Sequence, residues 1–497
     1  MGIQANAVGR VVGITTEFVN LQGGINFLPQ RVALLGQGST NSVFSLTKKT
    51  FTSAVDVGQD YGFGSPLHLS ALQLLPANGD GIGIIPLTVY PLADAGTAVA
   101  STGDITPAIT TVTKSAQYRV VINDIPSEFF IVDTTDTVAT VVTKMTAAIN
   151  AVVEMPMIAV DNTTDVALTS KWEGTSANAL SYVVEGSTSL GITFGLVQPS
   201  GGLVNPTTAE ITAALDQVGE IWETMFINCF EATDTTIIDQ LDTFLEGRWG
   251  ATVKKPAIAF AATVETDQAT AIVVPTAKKT YRNISQLVAP GSADLPFVIC
   301  SREVARIAKV ANDNPPQDYG SQKATGLAPG TDLQQWDYIE REAAVVGGSS
   351  TIQVKDGVVN LSDTVTYYHP DGENPPAYRY VVDIVKLQNI IFNIDNIFSQ
   401  DEWDGAPLIP DNQPTVNRTA KKPKMAKAAI ASMIDSLALN AIISDPDTAK
   451  KSITAQISST NPKRLDVALT VQLSGNTNII DVTLNFGFFF GTDAVVA

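Results

Sequence analysis

Short apolar runs that alternate with helical segments constrain this chain more than any other feature. Arg31–Leu35 reads as a buried strand that leaves through the turn-like Gly36-Gln37-Gly38-Ser39. Residues 65–75, SPLHLSALQLL, read as a helix. Ser65 suits the N-cap, Pro66 the first turn, and Leu67, Ala71, Leu74 and Leu75 form the apolar face. Gly83–Val89 reads as a second strand. The rhythm stops at Pro91 and resumes at Thr207. From there Ala209–Ile221, Thr236–Arg248, Asp267–Val273 and Arg302–Ala311 read as helices. Met225–Phe230, Ala257–Val264 and Phe297–Ile299 read as strands. Short apolar strands between helices predict a mostly parallel sheet with helices on both faces.

The interruption differs in character. Between Pro91 and Pro206 there are 18 Thr, with four Lys/Arg against eleven Asp/Glu. Gln117–Ile122 and Glu128–Val132 alternate like strands, and Val138–Val153 is the one helix expected there. This predicts an inserted, mostly β, acidic domain facing outward. After Gly347 the style becomes hairpin-like. Ile352–Val354 and Val358–Leu361 flank Asp356-Gly357, a strong turn signal. A strand at Val365–Tyr368, a long segment Val381–Phe398, a helix near Lys424–Ile443, and strands at Asp466–Leu473 and Ile479–Phe490 follow. Residues 1–20 carry the strand formers Val8, Val11, Val12 and Ile14 without a local partner and read as an arm.

Composition narrows the function. The 497 residues are 44% apolar, enough for large cores, and only 16% charged, against roughly 25% in ordinary soluble domains. Few charges on a long chain fit a surface covered by copies of itself. The formal charge of −19 argues against direct nucleic-acid binding, which needs a basic footprint. The two cysteines, Cys229 and Cys300, exclude a disulfide scaffold and a Cys-cluster zinc site. The opening MGIQANAVGR lacks an apolar core for a signal peptide, and no run approaches 18 apolar residues. A soluble chain made in a cytoplasm, without membrane insertion, is expected.

Catalytic patterns are absent from the text. Gly36-x-Gly38 follows a strand, but Asn41 stands where a dinucleotide fingerprint needs its third glycine. No Gly-Lys dipeptide exists for a phosphate loop. His68 and His369 are the only histidines, and no Gly-x-Ser-x-Gly elbow accompanies them. Asn312-Asp313-Asn314 offers too few oxygen ligands at fixed offsets for calcium. No catalytic residue, metal or cofactor is expected. One charged feature remains. Residues 411–464 carry nine Lys/Arg and four Asp/Glu, and Lys421, Lys422, Lys424 and Lys427 crowd a helix start, where cations oppose the helix dipole. A solvated helix entry and a docking site for an acidic partner both fit. Nucleic acid does not, because no stacking aromatics are interleaved.

Several segments resemble contractile phage tail sheath proteins, of the Mu-like type with its subtilisin-like sheath domain. Leu28-Pro29-Gln30-Arg31-Val32-Ala33-Leu34-Leu35-Gly36 leads into Gly62-Phe63-Gly64-Ser65-Pro66-Leu67, then Ile85-Pro86-Leu87. Asn314-Pro315-Pro316-Gln317 with Thr325-Gly326-Leu327 resembles the Pro-rich loop of that family. Asp356-Gly357-Val358-Val359, Val365-Thr366-Tyr367-Tyr368 and Tyr380-Val381-Val382-Asp383 resemble its C-terminal domain. Val385-Lys386-Leu387 departs from the family, where Arg-rich text is common.

The resemblance implies an α/β core sheath domain at 21–90 and 207–347, split by the inserted β domain at 91–206. It further implies an α+β C-terminal domain at 348–478 facing a tail tube, with arms at 1–20 and 479–497. The implied function is mechanical, without catalysis: stacked hexameric rings around a tail tube, contracting to drive the tube through a cell envelope. Implied partners are other copies of the chain, the tube protein, and baseplate and tail terminator proteins. The implied location is the phage virion, after assembly in the host cytoplasm. Lys421, Lys422, Lys424 and Lys427 would dock on the tube. Val8, Val11, Val12, Ile14, Ile479, Ile480, Val482, Leu484 and Phe486 would form strands exchanged between neighbours. A sheath of a non-phage injection device fits the same residues. An α/β hydrolase or nucleotide-binding enzyme is the alternative of another class.

Overall fold

The structure, a computed structural model, describes residues 26–486 apart from 78, 188–190 and 374–375. It begins with β1 (Val32–Gln37), every residue of which is buried. Then come the short β2 (Lys49–Phe51), α1 (Ala54–Tyr61), α2 (Pro66–Leu74) and β3 (Leu87–Leu92). The start of α2 follows from two side chains. Ser65 Oγ accepts from the His68 N–H at 3.3 Å, and Pro66 fills the first helical position, where a missing N–H costs nothing.

The Thr-rich stretch forms β4 (Ala100–Ile109), β5 (Ala116–Ile122), β6 (Ile125–Pro126), β7 (Phe130–Val132), α3 (Val138–Asn150), β8 (Met157–Asp161), β9 (Val166–Glu173), β10 (Tyr182–Gly186) and β11 (Ile192–Ser200). Their strands make two antiparallel sheets, one ordered β11-β4-β9-β8 and one in which β10, β6 and β7 all pair through β5. Strand β9 is stitched to the first α/β layer. Lys171 Nζ donates to the carbonyls of Phe63 at 2.9 Å and Val153 at 3.0 Å. Gln37 Nε2 donates to the Glu173 carbonyl at 2.8 Å. The buried Trp172 ring meets Phe297 edge-on, 6.0 Å between centroids.

The α/β rhythm returns with α4 (Thr208–Leu215), β12 (Met225–Glu231), α5 (Thr235–Arg248), β13 (Ile258–Thr263), α6 (Gln268–Ala271), α7 (Val273–Ala277) and β14 (Ile284–Val288). After it come α8 (Pro296–Asp313), α9 (Tyr338–Val346), β15 (Ser350–Lys355) and β16 (Val358–Asp363). The eight-stranded sheet runs β16-β15-β14-β13-β12-β1-β3-β2. It is parallel throughout except for its outer strands, β2 and β16. Asp356 and Gly357 both take positive φ, 51° and 74°, as a two-residue hairpin turn requires.

Alternation along the strands explains the two helix layers. Val32 and Leu34 enter one core, with Leu67, Leu74, Ile299 and Ile307 of α2 and α8. Ala33 and Leu35 enter the other, with Ile211 and Leu215 of α4 and Ile237 and Leu241 of α5.

The chain divides into two compact units. Of the described residues, the larger holds Pro29–Gln388 and 475–486, the smaller 26–28 and Asn389–Ser474. The helix α10 (Val381–Phe398) contributes residues to both. The hairpin β15–β16, whose sequence style suggested the beginning of a C-terminal domain, completes the main sheet of the larger unit. The smaller unit contains α11 (Pro423–Leu439), β17 (Ile443–Ser444), α12 (Pro446–Ser452), β18 (Thr454–Ile457), β19 (Leu465–Ala468) and β20 (Gln472–Leu473). Ile390, Ile430, Ile434, Leu437 and Ile442 centre its core.

Four expectations are corrected. Phe297–Ile299 is not a strand. Pro296 at the first helical position starts α8 there. The strand slot belongs to Ile284–Val288, whose buried Ser285 and Gln286 break the apolar run. Gln286 is satisfied by the Ala271 carbonyl at 2.9 Å and the Tyr367 hydroxyl at 3.0 Å. Gly36 does not turn the chain but lies inside β1, and the turn comes at Thr40-Asn41. Val365–Tyr368 makes only isolated bridges, to Ser285 and Tyr380. Of Ile479–Phe490, the described residues 479–486 form no strand within this chain, and the remainder lies outside the described residues.

Gly36 is needed for packing. A Cβ there would meet Cys229 Sγ at 2.7 Å and Leu67 Cδ2 at 3.3 Å. Gly36→Val should therefore lower stability by about 1–3 kcal/mol through overpacking. A urea midpoint equal to wild type would contradict this account of the β1–α2–β12 contact.

Candidate assembly surfaces

An α/β enzyme would place its ligand beyond the carboxyl ends of the parallel strands, where the strand order reverses. Here the reversal falls at β1, with β3 on one side and β12 on the other. A cavity of about 400 Å³ lies nearby, between Glu231, Thr263 and Ser292 of the sheet layer and Asn123, Ala179 and Ser181 of the inserted region. Its most buried carboxylate, Asp294, is taken by Arg302 at 2.5 Å and the Ala328 N–H at 2.8 Å. Burial pushes the Glu231 carboxyl up, with Thr233 donating to it at 3.2 Å. Among the described residues no group of three or more His, Cys, Asp or Glu could hold a metal, and no helix is long and apolar enough to cross a membrane.

Both histidines serve the fold. His68 Nδ1 accepts from the Gly64 N–H at 3.1 Å, which requires an unprotonated nitrogen. Burial, reinforced by the Lys171 ammonium, lowers its pKa to about 4. His369 Nδ1 lies 2.7 Å from the Tyr367 carbonyl, and burial lowers its pKa too. Cys229 on β12 and Cys300 on α8 are free and fully buried, and desolvation raises both thiols.

The lysine cluster separates into distinct environments. Lys421 is buried. Its Nζ pairs with Glu402 at 2.7 Å and sits 4.9 Å from the Trp403 ring centre. Lys422 Nζ donates to the Gln413 carbonyl at 2.6 Å. Lys424 and Lys427 are exposed on α11, one turn apart. The helix start is relieved from the preceding loop, since Asp411 Oδ1 accepts from the Lys424 N–H at 2.9 Å. That carboxylate supplies the negative end that the lysines themselves deny the dipole.

The arm residues divide by position. Val8, Val11, Val12 and Ile14 lie outside the described residues. Ile479, Ile480, Val482, Leu484 and Phe486 are 76–88% exposed. Ile480, Val482, Leu484 and Phe486 alternate with Asp481, Thr483 and Asn485, the spacing of a strand with one apolar face.

The main sheet offers little edge. Residues 321–324 close β16, with Ser321 N–H to the Leu361 carbonyl at 2.7 Å and Ala324 N–H to the Val359 carbonyl at 3.0 Å. Edge strand β2 is three residues long and carries Lys49, which is ion-paired to Asp60. In the smaller unit, β18 and β19 form a two-stranded antiparallel ladder.

One surface escaped the sequence reasoning. Leu333 and, on α9, Tyr338, Ile339 and Val346 are all exposed. The signal was present, because apolar residues at 339 and 346 are two helical turns apart on one face.

No family model matches the chain. It is 23% identical over 418 residues to the Mu-like prophage FluMu tail sheath protein of Haemophilus influenzae, covering 81% of this chain and 82% of the relative. The fold matches a sheath tail protein from Listeria innocua at a TM-score of 0.50 and 13% identity, over 91% of this chain and 94% of that one. It also matches a chain of the anti-feeding prophage baseplate at a TM-score of 0.50 and 10% identity, over 97% and 100% of the two chains. A chain of the sheath complex of an extracellular contractile injection system, PVC, in the contracted state, matches at a TM-score of 0.50 and 10% identity. That match covers 96% and 98% of the two chains.

A largely parallel eight-stranded sheet with additional antiparallel sheets, in this order along the chain, is the sheath-protein fold. In sequence the chain is similar to a Mu-like prophage tail sheath protein, and in fold to sheath tail proteins.

The His68 environment has a pH signature. Between about pH 4 and 6.5 the unfolded chain binds a proton that the folded chain refuses, so stability rises with pH across that window and is lost as pH falls. The full effect is about 3 kcal/mol. Asp242, raised to about 6 by burial, pulls the opposite way in wild type and variant alike and cancels in their difference. His68→Gln should therefore lose less stability than wild type between pH 7 and pH 4.5. Parallel losses in urea unfolding would refute it.

Proposed function

We propose that this chain polymerises as stacked rings around a tail tube and contracts to drive the tube through an envelope, in a phage or a phage-like device. Hexameric rings, a baseplate attachment and a virion location belong to this reading. The observation that carries it is the exposed, strand-patterned segment 479–486, in a chain whose main sheet has edges that are short or closed. An apolar strand of this kind is a hazard in a free monomer and a connector in a polymer. The β18–β19 ladder of a neighbouring copy is its acceptor, because two strands alone are marginal and a third gives them a sheet. Residues 1–20 supply the matching arm on the other side.

The domain assignment supports the same reading. Residues 91–206, acidic and Thr-rich, face outward, and the smaller unit carries the tube-facing surface. Within the lysine cluster, Lys424 and Lys427 meet the tube, with Lys422 beside them. Lys421 holds the loop through Glu402 and Trp403.

Two outcomes test this. Purified full-length protein should sediment as long tubes or rings by negative stain, and protein ending at Asn478 should stay soluble and unpolymerised. Monodisperse full-length particles, or tubes from the truncated chain, would refute the reading. Reversing Lys422, Lys424 and Lys427 to Glu should lower stability by no more than about 2 kcal/mol, because Lys424 and Lys427 are exposed and half-buried Lys422 gives up one hydrogen bond to the Gln413 carbonyl. The same change should abolish docking on isolated tubes. Normal tube binding by the triple variant would remove these lysines from the interface.

A further inference from the structure

Lys386 is the most unusual side chain of the larger unit. It is fully buried, between Val385 and Leu387 on α10. A buried ammonium requires partners on every side. Asp383, one turn earlier on α10, accepts from its Nζ at 3.0 Å. Asn476 Oδ1 accepts from the same nitrogen at 2.6 Å, across 90 residues of sequence. The other half of the Asn476 amide is also used, because its Nδ2 donates to the Pro316 carbonyl at 2.8 Å. Pro316 lies in the stiff turn Asn314–Gln317, closed by the Gln317 N–H to the Asn314 carbonyl at 3.0 Å. Asp318, two residues on, also feels the Lys386 charge. One amide side chain thus joins the start of α10, the Pro-rich turn and the segment that follows β20.

The position of this junction along the chain gives it meaning. The chain leaves the smaller unit at Ser474 and enters the larger one at Gly475. Asn476 is held. Three residues later the exposed apolar stretch Ile479–Phe486 begins. We propose that Lys386 and Asn476 form a clasp that fixes the point from which the C-terminal arm departs, so that tension on the arm is delivered to α10 and the Pro-rich turn of the larger unit. Resting on the sheath reading, this makes the larger unit the body that neighbours pull upon. A lysine suits the task better than a hydrophobe, because a charge-assisted hydrogen bond is directional and costly to leave unmade. Asn476 suits it because its amide can accept from the ammonium and donate to a carbonyl at once.

The test uses full-length protein below its assembly concentration. Both native cysteines are fully buried, so a nitroxide on Asn478→Cys or Leu484→Cys labels one site. In the wild-type background the label at 478 should be restrained and the label at 484 free. Asn476→Ala should make position 478 as mobile as 484, and Lys386→Met should do the same. Asn476 is only half-buried, so its variant keeps the fold where the lysine variant fails. Above the assembly concentration, Asn476→Ala should cut tube yield at least tenfold with unchanged far-UV circular dichroism, about the factor carried by one hydrogen bond to a charged group. A label at 478 equally mobile with and without Asn476, or Asn476→Ala tubes as abundant as wild type, would overturn the clasp. Wild-type protein that forms no tubes would refute the sheath reading instead, while the label comparison would still decide the clasp.

Discussion

The rest of the molecule depends on burial of the parallel strands from both faces. Val32 and Leu34 of β1 face one core and Ala33 and Leu35 the other, and on β12 Met225, Ile227 and Cys229 face the first while Phe226 and Phe230 face the second. A sheet covered in this way cannot bend without opening one of its cores, and protein interiors resist that because they are close-packed. The close approach of Gly36 to Cys229 shows how little slack remains. The inserted region shares the constraint. Trp172 on β9 is buried against Phe297 of α8, and half-buried Lys171 beside it donates to the Phe63 carbonyl ahead of α2, so the insertion is tied to that layer.

A stiff body with closed sheet edges cannot polymerise by extending that sheet. On the proposed reading, cohesion comes from chain segments that leave the body and from side chains presented on its surface. Residues 479–486 and the exposed lysines of α11 are such features. Main-chain pairing suits a device that changes its subunit arrangement, because strand hydrogen bonds tolerate a pivot that interdigitated side chains do not. On the same reading the low proportion of charge has this origin. A chain whose surface meets copies of itself has less surface to keep wet.

Legibility in the sequence followed the physics of each segment. Helix α2 could be placed to within a residue because Ser65 and Pro66 act locally. The β15–β16 hairpin was equally plain, since Asp356-Gly357 supplies both positive φ values. Strand β14 was not legible. Its Ser285 and Gln286 are buried and satisfied by Val365, Ala271 and Tyr367, partners that no local pattern announces. Lys421 misled for the same reason. Four lysines in seven residues look alike on the page, and only the fold brings Glu402 and Trp403 to one of them. Lys386 stands out as a lysine in an apolar run, but its partner Asn476 lies 90 residues away. The apolar alternation at 480–486 is legible as a pattern, while the described residues there form no strand within the single chain.

The central claim is that rigid units are joined by strands passed between copies. A helical reconstruction of tubes assembled from the wild-type protein tests it most directly. The account predicts that the β18–β19 ladder of each copy carries an added strand, that this strand is residues 479–486 of a neighbour, and that the eight-stranded sheet keeps its present register. A reconstruction in which 479–486 folds back onto its own chain, or in which neighbours touch only through side chains, would contradict it.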